Sequence, residues 1–248
     1  MNKPKKLYKY SKFGDYTIDQ IKSNYLWFSD YENLNDPFDL NYRLSDEFIN
    51  RLTMRSTSIV QADLVNELSK DNIQLNSGFL NKVFGSFSND DKFKEEMQEF
   101  LKNLIRHKVC CFTTSNKNKL MWSHYADSYK GVCYEYDLSN DIELYKYLRP
   151  VEYSNEFPII DSTDEMPKAL LRKSPEWAYE EEWRILEARD SKVYLKPDTL
   201  KGITFGHKVA DKIRQEIIET AKNLNPELKL MEIVTSTSQY DFEIAEIQ

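Results

Sequence analysis

Apolar positions recur with a period of two in several short runs and with a period near 3.6 in others, and the two kinds interleave along the chain. Leu7, Tyr8 and Tyr10 suit a short strand, Ile18 and Ile21 open a helical turn, and the aromatic-rich run "YLWFS" reads as a second strand. From Ser45 to about Lys108 the pattern is helical, most clearly in "DDKFKEEMQEFLKNLIRHK". There Phe93, Met97, Phe100, Leu101, Leu104 and Ile105 share a face behind the capping candidates Asn89 and Asp90. "KVCCFTT" returns to a strand pattern and "LMWSHYADSYK" to a helix with Trp122, Tyr125, Ala126 and Tyr129 on one face. Gly131 is placed to end that helix, and "VCYEYDL" follows as a strand. "PVEYS" adds a short strand and "EEWRILEA" another. The segment from Gly202 to Ser236 reads as strand, helix and strand, with Ile213, Ile217, Ala221 and Leu224 lining the helix, and "YDFEIAEI" closes the chain. The pattern predicts a single α+β domain over 1–248. Its sheet is mixed and partly split, with a helical insertion at about 45–108 and a C-terminal strand-helix-strand unit.

Composition narrows this picture. A chain of 248 residues can bury a substantial core, and its net charge of -7 argues against coating nucleic acid through bulk electrostatics. Cys110, Cys111 and Cys133 form no CxxC, and neighbours on a strand face opposite ways, so neither a zinc site nor a disulfide framework is indicated. The basic N-terminus lacks an apolar run of signal-peptide length and no segment approaches a membrane span, so a cytoplasmic chain without a membrane partner is expected. Six glycines leave no GxGxxG and no GxxxxGK[ST], which removes the glycine-cradled phosphate modes. His107, His124 and His207 are scattered, so no metal site is predicted from them.

Four strings carry candidate chemistry. In "NLNDPFD", Asn35 and Asp36 sit where side chains close a turn or contact a ligand. In "WSHYADSYKG", Trp122 and Tyr125 offer an aromatic wall, and His124 is a general acid or base if it is not a surface residue. In "CFTTS", Thr113, Thr114 and Ser115 either present hydroxyls or satisfy the turn into the helix. In "SPEWAYEEEW", Glu180 and Glu182 project to one side of a strand with Glu181 opposite. Trp177, Trp183 and Arg184 supply stacking surfaces and a counter-charge there, or else the string is a solvated edge.

In this order, "LYKY", "LWFSDYENLNDPFD", "CFTTSNKNKLMWSHYADSYKGVCYEYD", "VEY", "WAYEEEWRI" and "ITFGHKVADKI" resemble the bacterial domain-of-unknown-function family twenty-nine seventy-one across nearly the whole chain. A more distant likeness is to ADP-ribosyltransferases, in which a split sheet surrounds NAD with a first-strand arginine or histidine, a hydroxyl element and a strand-initial ExE glutamate. That likeness implies Tyr10 near the first position, Thr113 to Ser115 at the second, and Glu180 and Glu182 as the catalytic acids, although "LYKY" holds no Arg or His. It implies NAD as substrate, an unknown macromolecular acceptor, protein or nucleic acid, and a role as a toxin or anti-phage defence effector. Two alternatives stand beside it. One is a metal-dependent nuclease with Asp36, Asp39, Glu180 and Glu182 as oxygen ligands. The other is a non-catalytic nucleotide- or partner-binding module using Trp122, Tyr125, Trp177 and Trp183.

Overall fold

The interleaved periods of two and 3.6 resolve, in a computed structural model that describes residues 3–30, 33–48, 51, 95, 99, 108–188 and 190–247, into one large sheet with helices on both faces. Among the described residues eight strands form this sheet: β1 (Lys6–Ser11), β2 (Lys108–Thr113), β3 (Val132–Asp137), β4 (Leu148–Pro150), β5 (Glu182–Ala188), β6 (Leu200–Phe205), β7 (Lys229–Thr235) and β8 (Phe242–Glu246). Their order is β8-β7-β6-β3-β1-β2-β5-β4. The β6/β7 pair is parallel and the other pairs are antiparallel, so the sheet is mixed and the class is α+β.

Alternation along the strands sorts residues between the two faces. Leu7, Cys110, Phe112, Tyr134, Tyr136, Trp183, Ile185, Ile203 and Phe205 point one way. They pack with Ile21 of α1 (Thr17–Ser23) and with Ile217 and Ala221 of α3 (Asp211–Leu224). Tyr10, Cys133, Ile233 and Phe242 point the other way, against Met121 and Trp122 of α2 (Lys119–Tyr125) and the following Ala126. Leu224, expected on the buried stripe of α3, is 42% exposed, because the chain leaves the helix at Asn225 and the stripe ends a turn earlier.

β1 pairs with β3 along its whole length but meets β2 at the single pair Tyr8↔Thr113 among the described residues. Here the sheet is split, and the Lys9 ammonium donates to the Cys111 carbonyl (3.2 Å) across the gap. The "YLWFS" strand forms outside the main sheet: Tyr25–Trp27 pairs with Lys192–Tyr194. The three cysteines are free.

The chain divides into two compact units. The first comprises Met1–Pro37, His107–Tyr153 and Lys173–Gln248, and holds the sheet. The second comprises Phe38–Arg106 and Ser154–Arg172; in it Arg43–Leu44 pairs in parallel with Ile159–Ile160, and Ile160, Met166 and Ala169 are buried. The expected helical insertion at about 45–108 lies almost entirely outside the described residues. Among the described residues no helix is long and apolar enough to cross a membrane.

Candidate functional site

Local chain chemistry brings the acidic string to α2. Pro175 opens a 3-10 turn (Pro175–Glu180), and Glu181 adopts a left-handed conformation (φ 45°, ψ 49°) before β5 begins at Glu182. Asn118 caps α2 by accepting from the Leu120 and Met121 amides (2.9 and 3.2 Å), while its amide nitrogen donates to the Tyr179 carbonyl (2.6 Å). One side chain therefore starts the helix and fastens the 3-10 turn beside it.

Glu180 and Glu182 both turn inward, 3% and 5% exposed. Lys173 lies between them, its ammonium 2.6 Å from Glu180 Oε2 and 3.2 Å from Glu182 Oε2, and 4.8 Å from the centre of the Trp177 ring. Arg184, fully buried, forks onto Glu182 through Nε (2.8 Å) and Nη2 (3.0 Å). The Glu182 amide donates to the Tyr153 hydroxyl (2.8 Å), and the Cys111 side chain bonds the Glu182 carboxylate.

The two carboxyls diverge in acidity. Burial alone would raise Glu182, but the charge and hydrogen bonds of Arg184, with Lys173 behind them, outweigh it and hold the group at about 2. Glu180 goes the other way: burial raises it, and the neighbouring Glu182 charge adds to that, against the pull of Lys173 and Tyr125. Two carboxyls with opposed shifts that share one cation are an acid and a fixed anion side by side.

A polar line connects this pair to the surface. Exposed Asn35 donates through Nδ2 to the Tyr125 hydroxyl (2.8 Å), and that hydroxyl donates to Glu180 Oε1 (2.5 Å). Burial, then the bond to Glu180, raises the Tyr125 phenol far above its ordinary value. Beside this line His124, exposed, meets the Tyr179 hydroxyl through Nδ1 (3.0 Å), and Tyr179 lies against half-buried Trp177.

The hydroxyl string lies alongside. Thr113 is the register partner of Glu182 on one side and of Tyr8 on the other, so Tyr8, Thr113 and Glu182 form a row across three strands on the α2 face. The Thr114 hydroxyl donates to Glu181 Oε2.

Several expected site residues serve other ends. Trp122 is fully buried, its indole nitrogen donates to the Asn116 carbonyl (2.8 Å), and the Tyr10 ring meets it edge-on at 5.0 Å. Tyr10 itself is buried and donates to the Ser115 carbonyl (3.0 Å). Trp183 belongs to the core on the opposite face from Glu182, as strand alternation requires. These three rings are packing residues, not a ligand wall. Thr113 Oγ1 accepts from the Ser115 amide (3.3 Å) and Ser115 Oγ from the Lys117 amide (3.2 Å), which is turn chemistry. Asp36 is buried in the first unit, and Asp39, in the second, accepts from the Leu40 amide (2.8 Å). Among the described residues no group of three or more His, Cys, Asp or Glu is arranged to hold a metal ion.

Strand parity predicted that Glu180 and Glu182 share a side. They do, although Glu180 ends a 3-10 turn and the inversion at Glu181 does the work. Sequence reasoning missed Lys173, Tyr153, Tyr179 and Asn118. Lys173 reaches residues seven and nine positions on through the 3-10 turn between them, and no single helix or strand period puts both on its side, so nothing in the pattern marks it.

Residues 121–185 match the model of a family described as Protein of unknown function (DUF2971). Over that stretch the chain is similar to this family. The DUF2971 stretch runs from α2 into β5 and contains Tyr125, Lys173, all three glutamates and Arg184, whereas Asn35 and Thr113 to Ser115 lie outside it. No curated protein and no solved structure matches the chain.

Proposed function

We propose that the protein consumes NAD, breaking the bond between nicotinamide and ribose and passing the ADP-ribosyl group to water or to a macromolecular acceptor. The observation that carries this reading is the alignment at the split of the sheet. The end of β2, with its three hydroxyl residues, lies beside the glutamate-rich start of β5, and Thr113 is the direct partner of both Glu182 and Tyr8. These are the segments in which the likeness to ADP-ribosyltransferases places the hydroxyl element, the acid and the first strand.

The chemistry suits the parts. Departure of nicotinamide leaves a cationic, oxocarbenium-like ribose, which a preorganised carboxylate stabilises without a metal or a glycine-rich loop. A carboxyl of raised pKa in hydrogen-bonded contact with the surface, as in Glu180–Tyr125–Asn35, keeps the local charge adjustable beside a fixed anion. Depletion of the cofactor or modification of an essential acceptor would serve a toxin or an anti-phage effector.

The test is to incubate the purified protein with NAD, with and without magnesium, and to follow free nicotinamide by chromatography. Release in both conditions is expected, and NAD left intact at every protein concentration sinks the proposal. One observation favours a second reading, a nucleotide- or partner-binding module without turnover: Glu182 is fully engaged by the Arg184 fork and Lys173. Calorimetric binding of NAD with no product formed would select it.

A further inference from the structure

We infer that the groove between α1 and α3 binds a free α-amino acid with an apolar side chain, at a site separate from the glutamate string. Ile21 of α1 and Ile217 and Ala221 of α3 share one core cluster, which holds the two helices side by side. Beside them lies a groove of about 470 Å³, lined by Lys22 of α1 and by Glu216, Glu219, Thr220, Asn223 and Leu224 of α3. Positions 216, 219, 220 and 223 recur at three and four residues, so one stripe of the helix forms the wall. The groove is on the face of the sheet away from α2 and shares no residue with the candidate site.

Two observations mark the groove as a binding site. The first is Thr220, only 8% exposed. Among the described residues its hydroxyl has no hydrogen-bond partner, not even the carbonyl four positions back to which a helical threonine can donate, and it keeps access to the groove. A largely buried hydroxyl left unpaired is costly, and a valine would fill the position without that cost. The second is charge. Glu216 and Glu219 stand three residues apart on one helix face, where like charges repel, and neither has a basic partner among the described residues. Lys22, which lines the groove from α1, is unpaired there too.

The chemistry of the wall selects the ligand. An α-ammonium group between Glu216 and Glu219 donates to both and relieves their repulsion. The α-carboxylate on the same carbon meets the Lys22 ammonium and accepts from the Thr220 hydroxyl and the Asn223 amide. Leu224, 42% exposed, offers the ligand's side chain an apolar surface. An amine alone or an acid alone satisfies half of this set. Binding involves no covalent step, and the site is independent of the NAD-consuming reading.

Calorimetric titration of the full chain with L-leucine tests the site. Isoamylamine, which lacks the carboxylate, and isocaproate, which lacks the ammonium, serve as its two halves. We expect saturable binding of L-leucine, and binding weaker by about tenfold or more for each half. Lys22→Met and Glu219→Gln should each weaken L-leucine by about tenfold or more, while Lys22→Arg keeps it. Thr220→Val should weaken L-leucine and raise the melting temperature together, a pairing that a merely structural threonine would not give. Absence of saturable heat with L-leucine overturns the inference. Isoamylamine binding as tightly as L-leucine overturns it as well, since the groove would then be a site for cations only. Unchanged affinity in both charge variants would put the leucine elsewhere on the protein, with the same consequence.

Discussion

At the scale of single residues, Lys173, Glu180, Glu182 and Arg184 form a buried ionic group, and such groups are unforgiving of single changes. Arg184→Met strips the buried Glu182 carboxylate of its forked partner. It should cost about 3–5 kcal/mol, read as a lowered urea midpoint with little change in slope. The two glutamates also give opposite responses to pH. Glu182 is depressed from 4.5 to about 2 in the folded protein, so the stability it contributes is present above pH 4.5 and lost as pH falls toward 2. Glu180 is raised, so its contribution is present below its unfolded value and lost as pH climbs through its folded one. Urea midpoints measured from pH 6 to pH 2.5 should therefore show a steep acid loss in the parent that is blunted in Glu182→Gln. An equal loss in both would mean that the Arg184 fork does not set this carboxyl. The pairing of Arg184 with a glutamate was legible in the sequence, because strand parity puts residues 182 and 184 on one face. Lys173 was not, since its approach depends on the 3-10 turn that intervenes.

At the scale of elements, the pattern marked strand, helix and strand around "WSHYADSYKG" but ran the helix to Lys130. It stops at Tyr125, and Asp127, Ser128 and Tyr129 follow with φ of 45°, 54° and 72°. The cause lies in packing from elsewhere in the chain. The Tyr129 carbonyl accepts from the Lys208 amide, the Gly206 amide donates to the Gly131 carbonyl, and a Cβ on Gly206 would stand 2.2 Å from the Tyr129 oxygen. A single window of sequence holds no trace of that distant glycine's demand. Ser128→Gly should raise stability by about 1 kcal/mol by removing left-handed strain at an exposed position. Gly206→Ala should lower it by about 1–3 kcal/mol through overpacking against backbone that cannot yield. Thermal melts of the two variants check both signs, and a neutral Gly206→Ala would show that the turn relaxes freely.

At the scale of the whole molecule, the α+β class was legible because apolar periods survive in each local window. The order of eight strands was not, because β1, β2 and β5 meet from widely separated positions and nothing local encodes which partner each will choose. The same non-local meeting unites the strings of the candidate site. With the inner pair engaged by Lys173 and Arg184, nicotinamide release should be unchanged by a chelator; abolition by EDTA, restored by magnesium, would mean that a divalent ion takes part in the cleavage. The gap between β1 and β2 carries a mechanical consequence. Among the described residues five strands lie on one bank and three on the other, joined by one rung, by the reach of Lys9 to a carbonyl and by the Tyr10 hydroxyl on the Ser115 carbonyl. A pulling force applied across the strands of this sheet would meet its weakest resistance at that seam, and the sheet would tear along it before its other described strand pairs let go.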